Sequence, residues 1–495
     1  MKIVLAFEVH QPTRIRGDFL WGEKIWTKPE GTLRDFYFDR KLDSDIFVRA
    51  SRKAYLPSNR IILEKLDEQK RDPRGLRVAF GVSGTFLEQA EAYMPDLLES
   101  FRQLASTGRV EFMEETYYHS LSSLYEDQEE FKEQVAMHRE KLRDLLGAQP
   151  TFFENTELIY NDQVAQRVAS MGYKGMFTEG AERVLGWRSP NYVYSSRGQP
   201  KLRLLFRNYR LSDDIAFRFS ARWWSEWPLT ADKYSSWLAS QEGQYVGLFM
   251  DYETFGEHHW PETGIHDFLR ALPDEVLKHE GLGFATPSEV VDSEAPADEV
   301  SVDPSSTISW ADMERDTSCW LGNAMQWAYF LTIQRLGREL YGAEGELRQV
   351  WRYFQLSDIP YYMYTYGGGP GEVHSYFSPY STPYDAGVTA LAAVWDFEKR
   401  VRSEIGAVDH PFVFAREGRS VGKYAYTVQG LAKGVREVGD DCLMEHASKA
   451  DLSRWLGLEV GDLELSRHVK ALEERGDLEG IRQILQRAAQ GHKRI

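Results

Sequence analysis

The chain has 495 residues and a formal net charge of −17 at pH 7, with 42% hydrophobic and 27% charged side chains. Those proportions exclude a disordered or fibrous chain, and the length exceeds what one compact core usually holds. The acidic balance excludes a nucleic-acid partner, which needs a basic surface to displace counterions. Aromatic residues reach 13%, including 14 Trp and 26 Tyr; their faces can stack on the apolar sides of sugar rings, although most aromatic residues simply fill cores.

The N-terminus, MKIVLAFEVHQPTR, has an apolar run interrupted by Glu8 and too short for a signal peptide. No stretch of about 18 apolar residues occurs, so a cytoplasmic location and no membrane partner are expected. Apolar runs that read as strands begin at Lys2 (KIVLAFEV), Leu76 (LRVAFGVS), Arg109 (RVEFM), Thr151 (TFFENTE), Gly175 (GMFTEG), Leu202 (LRLLFRN) and Tyr245 (YVGLFMDY), with a possible eighth at Gly281 (GLGFATPSEV). Between them, stretches such as those from Phe86 and Gln128 keep apolar residues at helical three- and four-residue spacing. Strands alternating with helices predict an α/β fold, an incomplete (β/α)7 barrel spanning 1–295.

Residues 293–307, SEAPADEVSVDPSST, read as a linker. The amphipathic patterns beyond it, from Cys319 and Thr389, predict a helical bundle over 308–408 that completes the cleft. They flank a Gly- and Tyr-rich loop, in which Tyr361–Tyr366 and Gly367–Gly371 lack the Gly-Lys-Ser/Thr of a phosphate loop and read as a cover over a sugar pocket. The last segment, 410–495, reads as a small helical module. Cys319 and Cys442 lie far apart without CxxC partners and read as inert thiols.

In a parallel barrel the working residues stand at the C-terminal ends of strands. Here those ends carry Glu8 and His10, then His119, then Glu157, then Asp251. Alternation along FFENTEL places Glu157 with Phe153 on one face and Glu154 on the other, toward the helices, where an Arg or Lys would satisfy it. Glu157 and Asp251 are therefore the candidate carboxylate pair, the arrangement that glycoside hydrolysis uses. His10 also reads as a core histidine bonded to Glu8, which is compatible with a place at the site. Glu257, His258 and His259 lack metal-ligand spacing and read as a solvated loop, so no metal and no cofactor are expected.

Five stretches in order, VHQP from Val9, GRVEF from Gly108 running on to Tyr118-His119, FENTEL from Phe153, MDYETFGEH from Met250 and WADMERDTSCWLGN from Trp310, carry a resemblance. The chain resembles glycoside hydrolase family 57, and within it the α-amylase-like subgroup, which HSYFSPYSTPYDA from His374 also resembles. The resemblance implies a retaining enzyme acting on α-1,4-glucans or malto-oligosaccharides, with Glu157 as nucleophile and Asp251 as general acid/base. His10, Gln11 and His119 would line the donor sugar's subsite, and Trp320 and Asp316 would reach in from the helical domain. The alternatives are a 4-α-glucanotransferase or branching enzyme and, more remotely, a metal-dependent deacetylase or mannosidase, or a non-catalytic glucan-binding protein.

Overall fold

The computed structural model describes residues 1–366 and 378–491. The strands are β1 (Lys2–Val9), β2 (Val78–Val82), β3 (Val110–Met113), β4 (Phe152–Glu154), β5 (Gly175–Glu179), β6 (Tyr194–Ser196), β7 (Gln199–Arg207), β8 (Tyr245–Asp251), β9 (Gly283–Phe284), β10 (Asp298–Val300), β11 (Phe412–Arg416) and β12 (Arg419–Ala425). All residues of β1 after Lys2 are buried, as expected for a parallel strand covered on both faces.

Parallel pairing runs β8–β1–β2–β3 on one side and β4–β5–β7–β8 on the other. The two arcs meet at thin seams. Between β3 and β4 a single bridge, Glu114 with Phe153, carries the ladder. Between β7 and β8 one register pair does, Arg207 with Gly247, where a Cβ on Gly247 would stand 2.8 Å from the Phe206 carbonyl oxygen. Seven parallel strands thus surround one interior, the (β/α)7 arrangement. The possible eighth strand amounts to the two-residue β9 beside β1.

The interior is filled by alternate residues: Val4 and Ala6 of β1, Ala79 of β2, Met113 of β3, Phe152 of β4, Phe177 of β5, Leu205 of β7, and Tyr245 and Phe249 of β8. The opposite faces of the strands pack on the helices, with Phe153 and Met176 beside Val164 and Val168. This corrects the facing of the FFENTEL strand. Phe153 looks out and Phe152 looks in, so Glu154 belongs to the interior.

Residues 293–307 are not merely a linker. Asp298–Val300 pairs in parallel with β6, which runs antiparallel to β7. Two compact units result, one made of Met1–Arg14, Asp39–Asn323 and Leu356–Ser378, the other of Ile15–Phe38, Ala324–Gln355 and Pro379–Ile495. The helical stretch expected over 308–408 is therefore shared between them. In the second unit the 23-residue helix Pro383–Ile405 buries Asp396, which accepts from Tyr37 Oη at 2.6 Å and Arg400 Nε at 2.8 Å. Its C-terminal part contains an antiparallel hairpin, β11–β12, as well as helices, and Phe414 packs there with Leu431, Leu443 and Leu485. The hairpin escaped the helical reading because its outward positions, Val413 and Val421, are exposed apolar residues that blur the alternation.

Candidate active site

At the C-terminal end of the barrel Glu8, His10, Gln11, His119, Glu157, Asp251, Trp310 and Asp358 line one cavity. Glu157 reaches it by leaving the strand. β4 ends at Glu154, and Thr156–Leu158 form a 3-10 turn in which Glu157 has φ 59° and ψ 24°. A left-handed turn cancels the strand's alternation, which is why Glu154 and Glu157 both end up inside. His119 (φ 46°) and Asp312 (φ 56°), which also line the cavity, share this conformation. For non-glycine residues it costs on the order of 1–3 kcal/mol each and persists where the surroundings enforce it, commonly at working sites.

Both Glu157 oxygens accept hydrogen bonds. Oε2 takes the Trp310 indole N–H at 2.7 Å, and Oε1 takes the Ser357 hydroxyl at 3.1 Å with His119 Nε2 at 3.6 Å. The main chain is pinned as well, since Ser309 Oγ donates to the Glu157 carbonyl at 2.9 Å. Trp310 lies against Phe249 and the Arg207 guanidinium, with ring centres at 5.4 and 5.6 Å.

His119 is fully buried between two carboxylates, with Nε2 2.7 Å from Glu8 Oε1 and Nδ1 2.7 Å from Glu115 Oε2. Burial opposes its charge, but the two carboxylates outweigh burial and raise its pKa well above the ordinary value, so both ring nitrogens are donors. Burial pushes Glu8 up to about 8 against the pull of His119. His10 stacks on His119 at 4.1 Å and bonds Ser83 Oγ at 2.7 Å and Asp358 Oδ2 at 2.9 Å, not Glu8. Burial and the neighbouring His119 lower its pKa, which leaves a neutral ring.

Asp251 ends β8 beside Glu8, its register partner. It precedes the turn Tyr252–Thr254 but caps none of its amides. Burial, then Glu253, Glu8 and Glu157, raise its pKa well above the ordinary value, with Arg207 pulling the other way. Its neighbour Glu253 is occupied: it accepts from Tyr55 Oη and from Gln11 Nε2, the latter at 3.0 Å. Arg207 is fixed by Glu179 at 3.1 Å and the Phe249 carbonyl at 2.7 Å.

Two predicted positions stand elsewhere. Trp320 is fully buried, with its ring 5.7 Å from Tyr361, and neither it nor Asp316 lines the cavity. Asp316 instead caps the following turn through the Ser318 amide at 2.8 Å. The tryptophan that meets Glu157 opens the same motif, at Trp310. Ser357, Asp358, Glu115 and Arg207 are further members that strand-end reading passed over; only Arg207, as the last residue of β7, carried a signal. Tyr361 and Tyr362 also line the cavity, while Gly367–Gly371 and His374–Phe377 lie outside the described residues. Glu257 and His259 are buried rather than solvated, Glu257 against Arg49 at 2.9 Å and His259 on Ser220 Oγ at 2.7 Å.

Among the described residues, Glu8, His119 and Glu157 bring ligand-type atoms within 4.8 Å of one another. They fit a metal poorly. An imidazole that donates from both nitrogens has no lone pair to offer, and freeing one would strip Glu8 or Glu115 of its partner.

The seven-stranded parallel barrel thus carries two carboxylates in opposite surroundings at its C-terminal rim, the kind of pair that glycoside hydrolysis uses. The model of glycosyl hydrolase family 57 matches residues 4–303, and the chain belongs to that family, an enzyme of the glycoside hydrolase class. A Methanocaldococcus jannaschii protein named "Putative alpha-amylase" is 44% identical over 412 residues, 81% of this chain and 85% of that one. Among solved structures, a family 57 branching enzyme of Thermococcus kodakaraensis is similar with a TM-score of 0.57 and 12% identity, over 81% of this chain and 90% of that one. The 4-alpha-glucanotransferase of Thermococcus litoralis is similar at 0.51 and 17% identity; the match covers 85% of this chain and 63% of the transferase. At such identities these structures speak for the fold alone. Among the described residues, no helix is long and apolar enough to cross a membrane.

Proposed function

We propose that the chain is a retaining enzyme acting on α-1,4-glucans, of the α-amylase type, with Glu157 as nucleophile and Asp251 as general acid/base. The observation that supports this is the contrast between two carboxyl groups in one cavity. Glu157 has each oxygen held by a donor and faces the His119 imidazolium, so its lone pairs are aimed and its charge is matched. Asp251 meets mainly burial and other carboxylates, which favour the protonated form that can deliver a proton to the leaving glycosidic oxygen.

In the first step Glu157 attacks the anomeric carbon while Asp251 protonates the departing oxygen. The resulting glycosyl ester removes the negative charge from Glu157. In the second step Asp251, now a carboxylate, takes a proton from water, whose oxygen bonds to the anomeric carbon as the glycosyl bond to Glu157 breaks. Charge returns to Glu157 at that point, where Trp310, Ser357 and His119 stabilise it. His10, held by Ser83 and Asp358, and Gln11, held by Glu253, line the cavity and shape its donor side.

The test is incubation with maltoheptaose, with and without EDTA, beside Glu157→Gln. Shorter products only, unaffected by the chelator and absent in the variant, are expected. Products longer than the substrate would reassign the enzyme to glucan transfer, and undiminished activity in Glu157→Gln would refute the catalytic assignment.

A further inference from the structure

Beneath this site lies a carboxyl group that the mechanism does not use. Glu154 is fully buried, and neither of its oxygens has a hydrogen-bond partner. The space it occupies is supplied by Gly81 on β2, where a Cβ would stand 2.1 Å from Glu154 Oε1 and 2.4 Å from its Cδ. Gly81 is also the register partner of Glu8 on β1. The carboxyl is thus pressed against a bare patch of backbone next to the residue that holds His119.

The groups that face Glu154 are Glu8 from β1, Glu115 and His119 from the segment after β3, and Glu157 from the turn after β4. Four carboxyls meet one imidazolium there. Two of Glu154's neighbours also leave buried oxygens unpartnered, Glu8 Oε2 and Glu115 Oε1. An isolated buried carboxylate costs several kcal/mol, and like charges packed together cannot all ionise. A proton satisfies both demands, because it neutralises one acid and turns it into a donor for a bare acceptor.

Resting on the reading of Glu157 as nucleophile, we propose that Glu154 is a positioning residue for catalysis: a neutral carboxylic acid whose O–H bonds Glu8 Oε2. The chain of contacts then runs from Glu154 O–H to Glu8 Oε2, from Glu8 Oε1 to His119 Nε2 at 2.7 Å, and on to Glu157 Oε1 at 3.6 Å. With Glu154 as donor, Glu8 keeps its place as the acceptor for His119 Nε2, and His119 stays an imidazolium beside the nucleophile. Burial, followed by Glu8 and Glu115, drives the Glu154 pKa well above the carboxylate range, which favours the neutral acid at this position.

Two isosteric variants separate this role from packing. Glu154→Gln keeps a neutral donor and is expected to hold kcat within about threefold of wild type. Glu154→Leu keeps the volume but has no donor. It is expected to lose at least tenfold in kcat with KM within about threefold, and, as Glu8 loses its donor and His119 loses charge, a His119 transition enters the pH profile on the acid side of the Asp251 limb. Because Glu154→Leu leaves Glu8 Oε2 buried without a partner, its Tm is expected to fall below that of Glu154→Gln, which keeps a donor. Independently of turnover, the infrared spectrum of the wild type near neutral pH should contain a carboxylic-acid C=O band that Glu154→Gln lacks.

Absence of that band, a Glu154→Gln as impaired as Glu154→Leu, or a Glu154→Leu with wild-type kcat and pH profile would each overturn the proposal. If Glu154→Leu does not fold, Glu154→Met and the infrared comparison still decide. Covalent labelling of Glu157, read in the same preparations, keeps the two readings apart. Label on Glu157 with no acid band refutes this role alone, and lack of label refutes the nucleophile.

Discussion

Replacing Trp310 by Phe removes the hydrogen bond that the indole gives to Glu157. An aromatic ring remains beside Phe249 and Arg207, while the N–H at 2.7 Å from Glu157 Oε2 is lost together with the second ring of the indole. A hydrogen bond to a charged group is worth about 1.5–3 kcal/mol net, and about 1.4 kcal/mol is tenfold in rate. The loss falls unevenly on the two steps. Glu157 gives up charge when the glycosyl ester forms and regains it when the ester breaks, so the donor helps the second step more. Trp310→Phe should therefore slow ester breakdown about ten- to hundredfold and make the glycosyl-enzyme accumulate. The assay is intact-mass spectrometry of enzyme quenched during turnover of an α-glucosyl fluoride, alongside steady-state kcat. A variant with kcat within twofold of wild type and no added mass during turnover would refute the reasoning.

Asp251→Asn should lower kcat/KM on malto-oligosaccharides by about two to four orders of magnitude, yet far less on an α-glucosyl fluoride, whose leaving group needs no proton; equal losses of kcat/KM on both, in parallel kinetics, would remove Asp251 from the acid role. Wild-type activity should fall as pH rises through the raised Asp251 pKa, since only the acid form can donate, and a pH–rate profile of Asp251→Asn on the fluoride should lack that limb. Glu154 bears on stability with a definite sign. Its folded pKa is raised above the unfolded value of about 4.3, so its contribution is full below that pH and is lost as pH rises toward the folded value. The Tm of Glu154→Gln minus that of wild type should accordingly increase from pH 4 to pH 8 in calorimetry, and a constant difference would contradict the buried-acid account.

The strand list and the barrel were legible because a parallel strand buried on both faces must be apolar along its length, and each of the seven runs stands out from its amphipathic neighbours. The short strands β6 and β10 were not, since Asp298–Val300 is mostly exposed and polar and gains its identity only by pairing. At the site, strand ends pointed to Glu8, His10, His119, Glu157 and Asp251, all of which line the cavity. The facing of Glu154 could not be read, because alternation holds only while the chain stays extended, and the left-handed turn at Glu157 resets it. Trp310, Ser357 and Asp358 were hidden for a different reason: they come from segments far along the chain, and nothing in their local pattern marks them as partners of Glu157 or His10.

The central claim is that Glu157 forms the covalent bond. Incubation with a fluorinated α-glucosyl fluoride that slows ester breakdown, followed by proteolysis and mass spectrometry, tests it most directly. The account predicts one added glycosyl group per chain, mapped to Glu157 in the Phe152–Tyr160 segment and absent in Glu157→Gln. A label on another carboxylate, or inactivation of the enzyme with Glu157 unmodified, would contradict it.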